Sequence, residues 1–330
     1  MSAQVSEICA RAHTRATERI GLFLSDYAST LLGSGATCLR LEKNVGRMAE
    51  VWGVKVAMTI MPHHIHFSVT DSQGLTDTFV AQTLHSAASF DAITRLSALS
   101  WKVADNRLSL SRASRMFAEA VKPRPANRWW VLVAASCANA SFCRLFGGDF
   151  HAMAVVFGAT AAGFYLKQLL MRAKADIRLV FIVCSFVSAV LAAAGYIFSL
   201  GETPEVAMAT SVLYLVPGIP LLNSFSDMVD GHYICFFCRL LDALILTCCL
   251  SLGLCLAMKV MPISMFCAAR LPLITQFISK NQLMFSEFFQ DALFAAIAAI
   301  GFSAISNPPR RAYLYCAAIA AIGHSVRFGL

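Results

Sequence analysis

Charged side chains are scarce in this chain of 330 residues, at 14% against roughly 25% in an ordinary soluble protein. Hydrophobic residues make up 58% of the chain, and the mean hydropathy is +0.64. These values exclude a disordered protein, a nucleic-acid-binding domain and a normal cytosolic enzyme. They indicate a polytopic membrane protein whose net charge of +8 belongs mainly to cytoplasmic loops.

The chain also lacks the motifs of nucleotide-driven or cofactor-dependent chemistry. No Walker loop, GxGxxG or GxSxG pattern occurs, so we expect no enzyme, no cofactor and no ATP-driven transport by this chain alone. Most cysteines lie in apolar runs, and the Cys235–Cys238 spacing lacks the context of a redox or zinc motif. His63, His64 and His66 have no cysteine or carboxylate at ligand spacing, so we predict no metal site.

The charges that are present divide the chain near residue 128. Residues 1–128 contain 15 Lys/Arg and 10 Asp/Glu, whereas the other 202 residues contain 12 and 9. A basic, proline-containing linker at 122–128 precedes Trp129 and Trp130, a pair typical of a membrane interface. We therefore predict an N-terminal α+β domain over residues 1–128. Its pattern predicts helices over 16–32 and 39–52, strands over 55–60 and 64–70, a turn at 71–74, and helices from about 78 to 121.

Seven uncharged stretches follow the linker and predict seven membrane helices. Each has 15 to 22 residues, and a span needs about 20. They are 129–143, 152–166, 179–200, 206–226, 243–258, 292–307 and 312–326. We assign the first five to one membrane domain (129–260), treat 261–288 as an interfacial or linker segment, and interpret 289–330 as the incomplete start of a second membrane domain.

The loops between these helices predict the orientation in the membrane. The 167–178 loop is rich in lysine and arginine and is expected in the cytoplasm, whereas the 201–205 loop has neither and is expected outside. The basic 307–311 loop is again expected inside. Alternating the helices between these loops places the N-terminal domain in the cytoplasm.

An interrupted apolar stretch at 215–231 is the clearest candidate for a transport site. Pro217, Gly218 and Pro220 break the predicted helix, and transporters often place substrate sites at such breaks. If the helix resumes, one of its faces presents polar residues at i, i+4 and i+7, namely Asn223, Asp227 and Asp230. The alternative is a proline kink that only shapes packing.

Further charged and polar residues near helix ends extend this candidate pathway. Arg239 and Asp242 are spaced i, i+3 and form either a structural ion pair or a site where Arg239 attracts a carboxylate and Asp242 exchanges a proton. Asn139 and Arg144 precede a Gly-Gly pair at the predicted outer end of the first membrane helix. Arg144 either reaches the membrane interface or lines an exit path.

The segment Leu32-Gly-Ser-Gly-Ala-Thr-Cys-Leu-Arg-Leu-Glu42 resembles the opening motif of the threonine/serine exporter (ThrE) family. Gly35, Arg40 and Glu42 match that motif, and Thr37 stands where the family usually has Glu. The resemblance implies a small cytoplasmic domain followed by membrane helices.

Longer similarities point to the two-component YjjP/YjjB branch of this family. Residues 136–148, 166–170 and 215–223, with Asp227 and Gly231, are similar to the YjjP-type subunit. Residues 290–294, 301–302, 309 and 321–327 are similar to the start of the YjjB-type subunit. The resemblance implies a fused secondary transporter in a bacterial inner membrane. It implies proton-driven export of threonine, serine or a dicarboxylate such as succinate, with a YjjB-like partner or a second copy. The alternatives are a membrane-anchored sensor or scaffold subunit and an intramembrane enzyme that uses Asp227 and Asp230.

Overall fold

A computed structural model describes residues 2–83, 88–124, 126–197, 203–261 and 284–329. The chain forms two compact units. The first consists of Met1–Pro125 with Gly218–Ala243, and the second of Ala126–Pro217 with Leu244–Leu330. The structure thus places 218–243, which we assigned to the membrane domain 129–260, in the N-terminal unit. Most of the predicted linker segment, residues 262–283, lies outside the described residues.

Helices dominate the described chain, and a small sheet lies in the first unit. In chain order the elements are α1 (Ser2–Gly33), α2 (Cys38–Val51), β1 (Lys55–Ile60), β2 (His64–Thr70), β3 (Thr76–Gln82), α3 (Phe90–Asp105), α4 (Leu110–Val121), α5 (Arg128–Leu145), α6 (Phe150–Arg172), α7 (Ile177–Ile197), α8 (Pro204–Ser211), the 3-10 turn Leu213–Leu215, α9 (Gly218–Val229), α10 (Tyr233–Val260), α11 (Met284–Ile305) and α12 (Ala312–Gly329).

The sheet is an antiparallel meander in the order β1-β2-β3, and its first two strands have the predicted bounds. Met58, Phe67 and Phe79 lie side by side across the three strands. Alternate residues of β2, including Phe67, are fully buried, as expected when one face of a sheet packs on a core.

The third strand corrects the sequence analysis, which predicted a helix from about Thr78. Asp71 reverses the chain before β3 by accepting hydrogen bonds from the amides of Gln73 (2.8 Å) and Leu75 (3.0 Å). The returning chain then pairs along the whole length of β2. Local composition agrees with this pairing, because the threonine, phenylalanine and valine residues of Thr76–Gln82 favour a strand.

The core of the first unit lies between α1, α2, α3 and the sheet. Leu24, Tyr27 and Leu31 of α1 are fully buried, at the helical spacing that the sequence predicts. The buried hydroxyl of Tyr27 donates a hydrogen bond of 2.9 Å to the carbonyl oxygen of Leu96 on α3. This bond satisfies a polar group that would otherwise destabilise the core.

The second unit is a helical bundle built around α5, α6, α7 and α8, to which α11 and α12 are added. Its core includes Val180, Phe181 and Cys184 on α7 together with Leu215 and Leu250. The helix α11 runs closely along α5. Gly301 is required at their contact, because a Cβ atom there would lie 2.1 Å from the carbonyl oxygen of Ala134.

Two helices of the described residues, α6 and α10, are long and apolar enough to cross a membrane. A third span results if the interrupted pair Glu205–Leu215 and Gly218–Val229 is counted as one. Shorter apolar stretches lie in α7, α11 and α12. The chain is thus mostly helical with two or three candidate spans, and the total of seven stays a prediction because several predicted stretches are shorter than about 20 residues.

Candidate functional site

A carboxylate from a distant part of the chain caps the helix that carries the family-like motif. Helix α2 begins after Thr37, whose side chain makes no capping bond. The Cys38 amide instead donates a 2.9 Å hydrogen bond to Oδ1 of Asp227 on α9. Asp227 is fully buried. The side chain of Asp227 thus lies at the positive end of the α2 dipole and takes the place of a local capping residue.

Arg239 on α10 neutralises the same carboxylate and holds the turn that precedes α2. Its Nη1 atom donates to Oδ2 of Asp227 at 2.7 Å, and its Nη2 atom donates to the carbonyl oxygen of Ala36 at 2.9 Å. The arginine side chain is only 19% exposed. Both oxygens of Asp227 therefore have partners, which suits a structural clamp better than an exchangeable proton site.

Asn223 completes this clamp one turn before Asp227. Its Nδ2 atom donates a 2.9 Å bond to the carbonyl oxygen of Gly35. Gly35 has a φ of +91°, and a Cβ atom there would approach Ala88 at 3.1 Å, so the turn requires glycine. Asn223 and Asp227 thus share a face of α9, as predicted. We call Gly35, Cys38, Asn223, Asp227 and Arg239 the motif clamp.

The prediction that Arg239 forms an ion pair with Asp242 is wrong. Local spacing favoured Asp242, but Arg239 pairs with Asp227 while Asp242 is exposed. Asp230 follows the end of α9 and is only partly buried. An acid–base pair of Asp227 with Asp230, the enzyme alternative, is disfavoured because both Asp227 oxygens are already bound.

The other two matching residues of the opening motif, Arg40 and Glu42, lie on α2 outside the clamp. Glu42 approaches the imidazole of His232 at 3.5 Å, and that contact is an ion pair only when the histidine is protonated. Arg40 is exposed. Of the three matching motif positions, only Gly35 therefore belongs to the clamp itself.

Two buried cysteines interact at the clamp, namely its member Cys38 and the neighbouring Cys235. The thiol of Cys235 donates to the carbonyl oxygen of Ile60 at 3.3 Å. The hydrogen bond between the thiols of Cys38 and Cys235 raises the pKa of Cys38, and burial and the nearby Asp227 carboxylate act in the same direction. Cys38 is therefore held as a neutral, unreactive thiol.

The predicted interruption at Pro217, Gly218 and Pro220 is present. The 3-10 turn ends at Leu215, and α9 begins at Gly218 with Pro220 in its first turn. Proline is tolerated there because the first amides of a helix need no partner within it.

Asn139 and Arg144 belong to the second unit, whereas the residues of the motif clamp belong to the first. Asn139 is fully buried on α5, and its Nδ2 atom donates to Oγ1 of Thr160 at 3.0 Å and to the carbonyl oxygen of Ser211 at 3.3 Å. The guanidinium of Arg144 donates to the Gly148 carbonyl oxygen (3.2 Å) and to Oε1 of Gln290 (3.3 Å). Arg144 is thus held by the protein near the end of α5.

Metal-ligating residues do not gather in the part of the chain that the structure describes. Within those residues no group of three or more His, Cys, Asp or Glu side chains could hold a metal ion. His64 and His66 lie on one exposed face of β2.

The model of the ThrE family, which is described as a family of threonine/serine exporters, matches residues 23–261. This range includes the whole motif clamp. The chain belongs to the threonine/serine exporter family. A second model of this family, also described as a threonine/serine exporter, matches residues 291–330 on α11 and α12. The family assignment suggested by residues 32–42 and 215–231 is thereby confirmed.

Curated relatives come from several bacteria. A protein of Escherichia coli named "Probable succinate transporter subunit YjjP" is 27% identical over 255 residues, which cover 76% of this chain and 95% of that protein. A Klebsiella aerogenes protein of the same name is 34% identical over 141 residues, 42% of this chain and 54% of the relative. A "Probable threonine/serine exporter" of Mycobacterium tuberculosis is 26% identical over 140 residues, 42% of this chain and 26% of the relative. No solved structure matches the chain.

Proposed function

We propose that this membrane exporter carries a small hydrophilic carboxylate out of a bacterial cell across the inner membrane, driven by the proton gradient. The observation that carries the proposal is the motif clamp. It joins the opening motif of the family to residues 223–239, and both segments lie within the matched region. The N-terminal α+β unit is then the cytoplasmic part of the exporter.

The geometry favours positioning roles for the residues of the clamp. Asp227 and Arg239 bind each other, and these two residues and Asn223 each bind the backbone of the turn 35–38. Arg239 lies on α10, which is also one of the two candidate spans. We infer that the clamp fixes the cytoplasmic turn against α9 and the start of α10, and that substrate binds elsewhere.

The candidate substrates are threonine, serine and succinate, and the names of the relatives support all three. Two relatives are named as subunits, which supports a YjjB-like partner or a second copy of this chain. The match of residues 291–330 to the second family model supports a partner-like region within the same chain.

Efflux from preloaded cells tests this function. Cells that express the chain, alone or with a YjjB-type protein, are loaded with labelled threonine, serine or succinate and compared with cells that carry the empty vector. We expect accelerated loss of one substrate class, which a protonophore abolishes. Efflux equal to the vector control under every condition, with the protein present in the membrane, would contradict the proposal. Ligand binding without efflux would favour the sensor alternative.

A further inference from the structure

A lysine in the helical bundle is turned toward aromatic rings rather than toward the end of its helix. Lys167 lies on α6, and its Nζ atom is 5.2 Å from the ring centroid of Phe181 on α7. The same atom is 5.8 Å from the rings of Phe164 and of Tyr214. A lysine that reaches for the membrane interface extends away from the bundle. Lys167 instead points into it.

The ammonium group of Lys167 has no counter-ion among the residues that the structure describes. The ion pairs of those residues involve other side chains. Aromatic rings stabilise a cation but do not neutralise it. A charged group inside a membrane bundle is costly without a partner and usually marks a pathway for an ion or a substrate. By residue surface area Lys167 is partly exposed rather than fully buried.

Hydroxyl groups of α7 and of the 3-10 turn lie against the face of α6 that carries this lysine. The hydroxyl groups of Ser188 and Tyr214 are 3.0 Å apart. A Cβ atom at Gly163, one turn before Lys167, would lie 1.9 Å from the Ser188 oxygen and 2.4 Å from the Tyr214 oxygen. Glycine therefore makes room for this hydroxyl pair. Thr160 follows at the next turn on the same face.

The far end of this polar face carries an acceptor without a donor. Thr160 binds the Nδ2 atom of Asn139, but Oδ1 of Asn139 is buried and has no hydrogen-bond partner. A buried carbonyl oxygen of this kind is rare, because leaving it unpaired destabilises the protein. A ligand that donates an N–H or O–H group would satisfy it.

We propose that Lys167, the Ser188–Tyr214 hydroxyl pair and Asn139 form a binding subsite for a small amino or hydroxy acid, whose carboxylate binds Lys167 and whose donor group binds Asn139. Thr160 and Lys167 are seven residues apart on α6, a rise of about 10 Å, and the lysine side chain shortens that distance because it is directed back toward the N-terminus of the helix. A dicarboxylate would direct a second anion at an acceptor oxygen. This inference rests on the proposed export function and locates its substrate.

Thermal unfolding of the purified full chain in detergent, with threonine and succinate as probes, tests the subsite. The variants are Lys167→Met and Lys167→Arg, with the exposed Lys174→Met as the matched control. A bound ligand raises the melting temperature. We expect threonine to stabilise the wild type and Lys174→Met, to stabilise Lys167→Arg less, and to leave Lys167→Met unchanged. Without ligand, Lys167→Met should melt no lower than the wild type, because it removes an uncompensated charge. If Lys167 instead stabilised the fold, the substitution would lower the melting temperature.

Efflux kinetics separate the subsite from the function on which it rests. We expect Lys167→Met to raise the threonine concentration for half-maximal efflux by roughly tenfold or more, the effect of losing one charged hydrogen bond. Wild-type export with an unchanged half-maximal concentration in Lys167→Met would overturn the subsite and leave the exporter intact. A wild type that neither exports nor binds any probe would overturn both proposals. Equal stabilisation by succinate and threonine would overturn the choice of an amino or hydroxy acid.

Discussion

Asp227→Asn is expected to lower the free energy of opening of α2 by about 3–5 kcal/mol, the range for breaking a buried ion pair from one side. The substitution keeps an oxygen that can accept from the Cys38 amide, so it removes the charge and little else. Arg239, which is 19% exposed, is left without its counter-ion. Hydrogen exchange of the amides in Cys38–Val51, measured on the full chain in detergent, reports this loss directly.

Two comparisons make this result specific to the ion pair. Asp230→Asn changes a neighbouring, partly buried aspartate, and we expect it to alter the exchange by less than about 0.5 kcal/mol. The double variant Asp227→Asn with Arg239→Gln should recover much of the loss, because no buried charge is then left alone. Normal exchange protection together with abolished efflux in Asp227→Asn would instead assign Asp227 to the transport pathway, as the sequence analysis considered.

The motif clamp shows which parts of the candidate site can be predicted from the sequence and which cannot. Asn223 and Asp227 were predictable as residues of one helix face, because spacing alone determines which side chains share a face. Their partners were not predictable, since Gly35 and Cys38 lie almost 190 positions away and no local pattern connects the two segments. Arg239 shows the same limit: the i+3 rule favoured Asp242, and a tertiary contact with Asp227 prevailed.

The polar face of α6 could be predicted in part from the sequence. Thr160, Gly163 and Lys167 have the i, i+3, i+7 spacing that places residues on one side of a helix. The sequence nevertheless predicts a cytoplasmic loop for Lys167, because a basic residue near the end of an apolar stretch is typical of a membrane interface. The direction of the side chain into the rings of Phe181 and Tyr214 depends on the packing of α6 with its neighbours, which composition does not encode.

Gly301→Ala should destabilise the second unit by about 1–3 kcal/mol, because the added methyl group has no room between α11 and α5. Its Cβ atom would lie 2.1 Å from the Ala134 carbonyl oxygen and 2.6 Å from Cβ of Ala138. Small residues four positions apart, such as Ala134 and Ala138, are typical of closely packed membrane helices. The clash involves backbone, so the two helices would have to separate.

Gly323→Ala on α12 is the matched control for this prediction. A Cβ atom at Gly323 meets nothing within 4 Å, and alanine is favoured over glycine inside a helix by about 1 kcal/mol. Thermal unfolding in detergent should therefore rank Gly323→Ala at or above the wild type and Gly301→Ala below it; equal melting temperatures would contradict the close contact. Gly301 lies in the region matched by the second family model and Ala134 in that matched by the first. The contact is thus where these two regions pack together in one chain, and reduced efflux by Gly301→Ala would show that export depends on their packing.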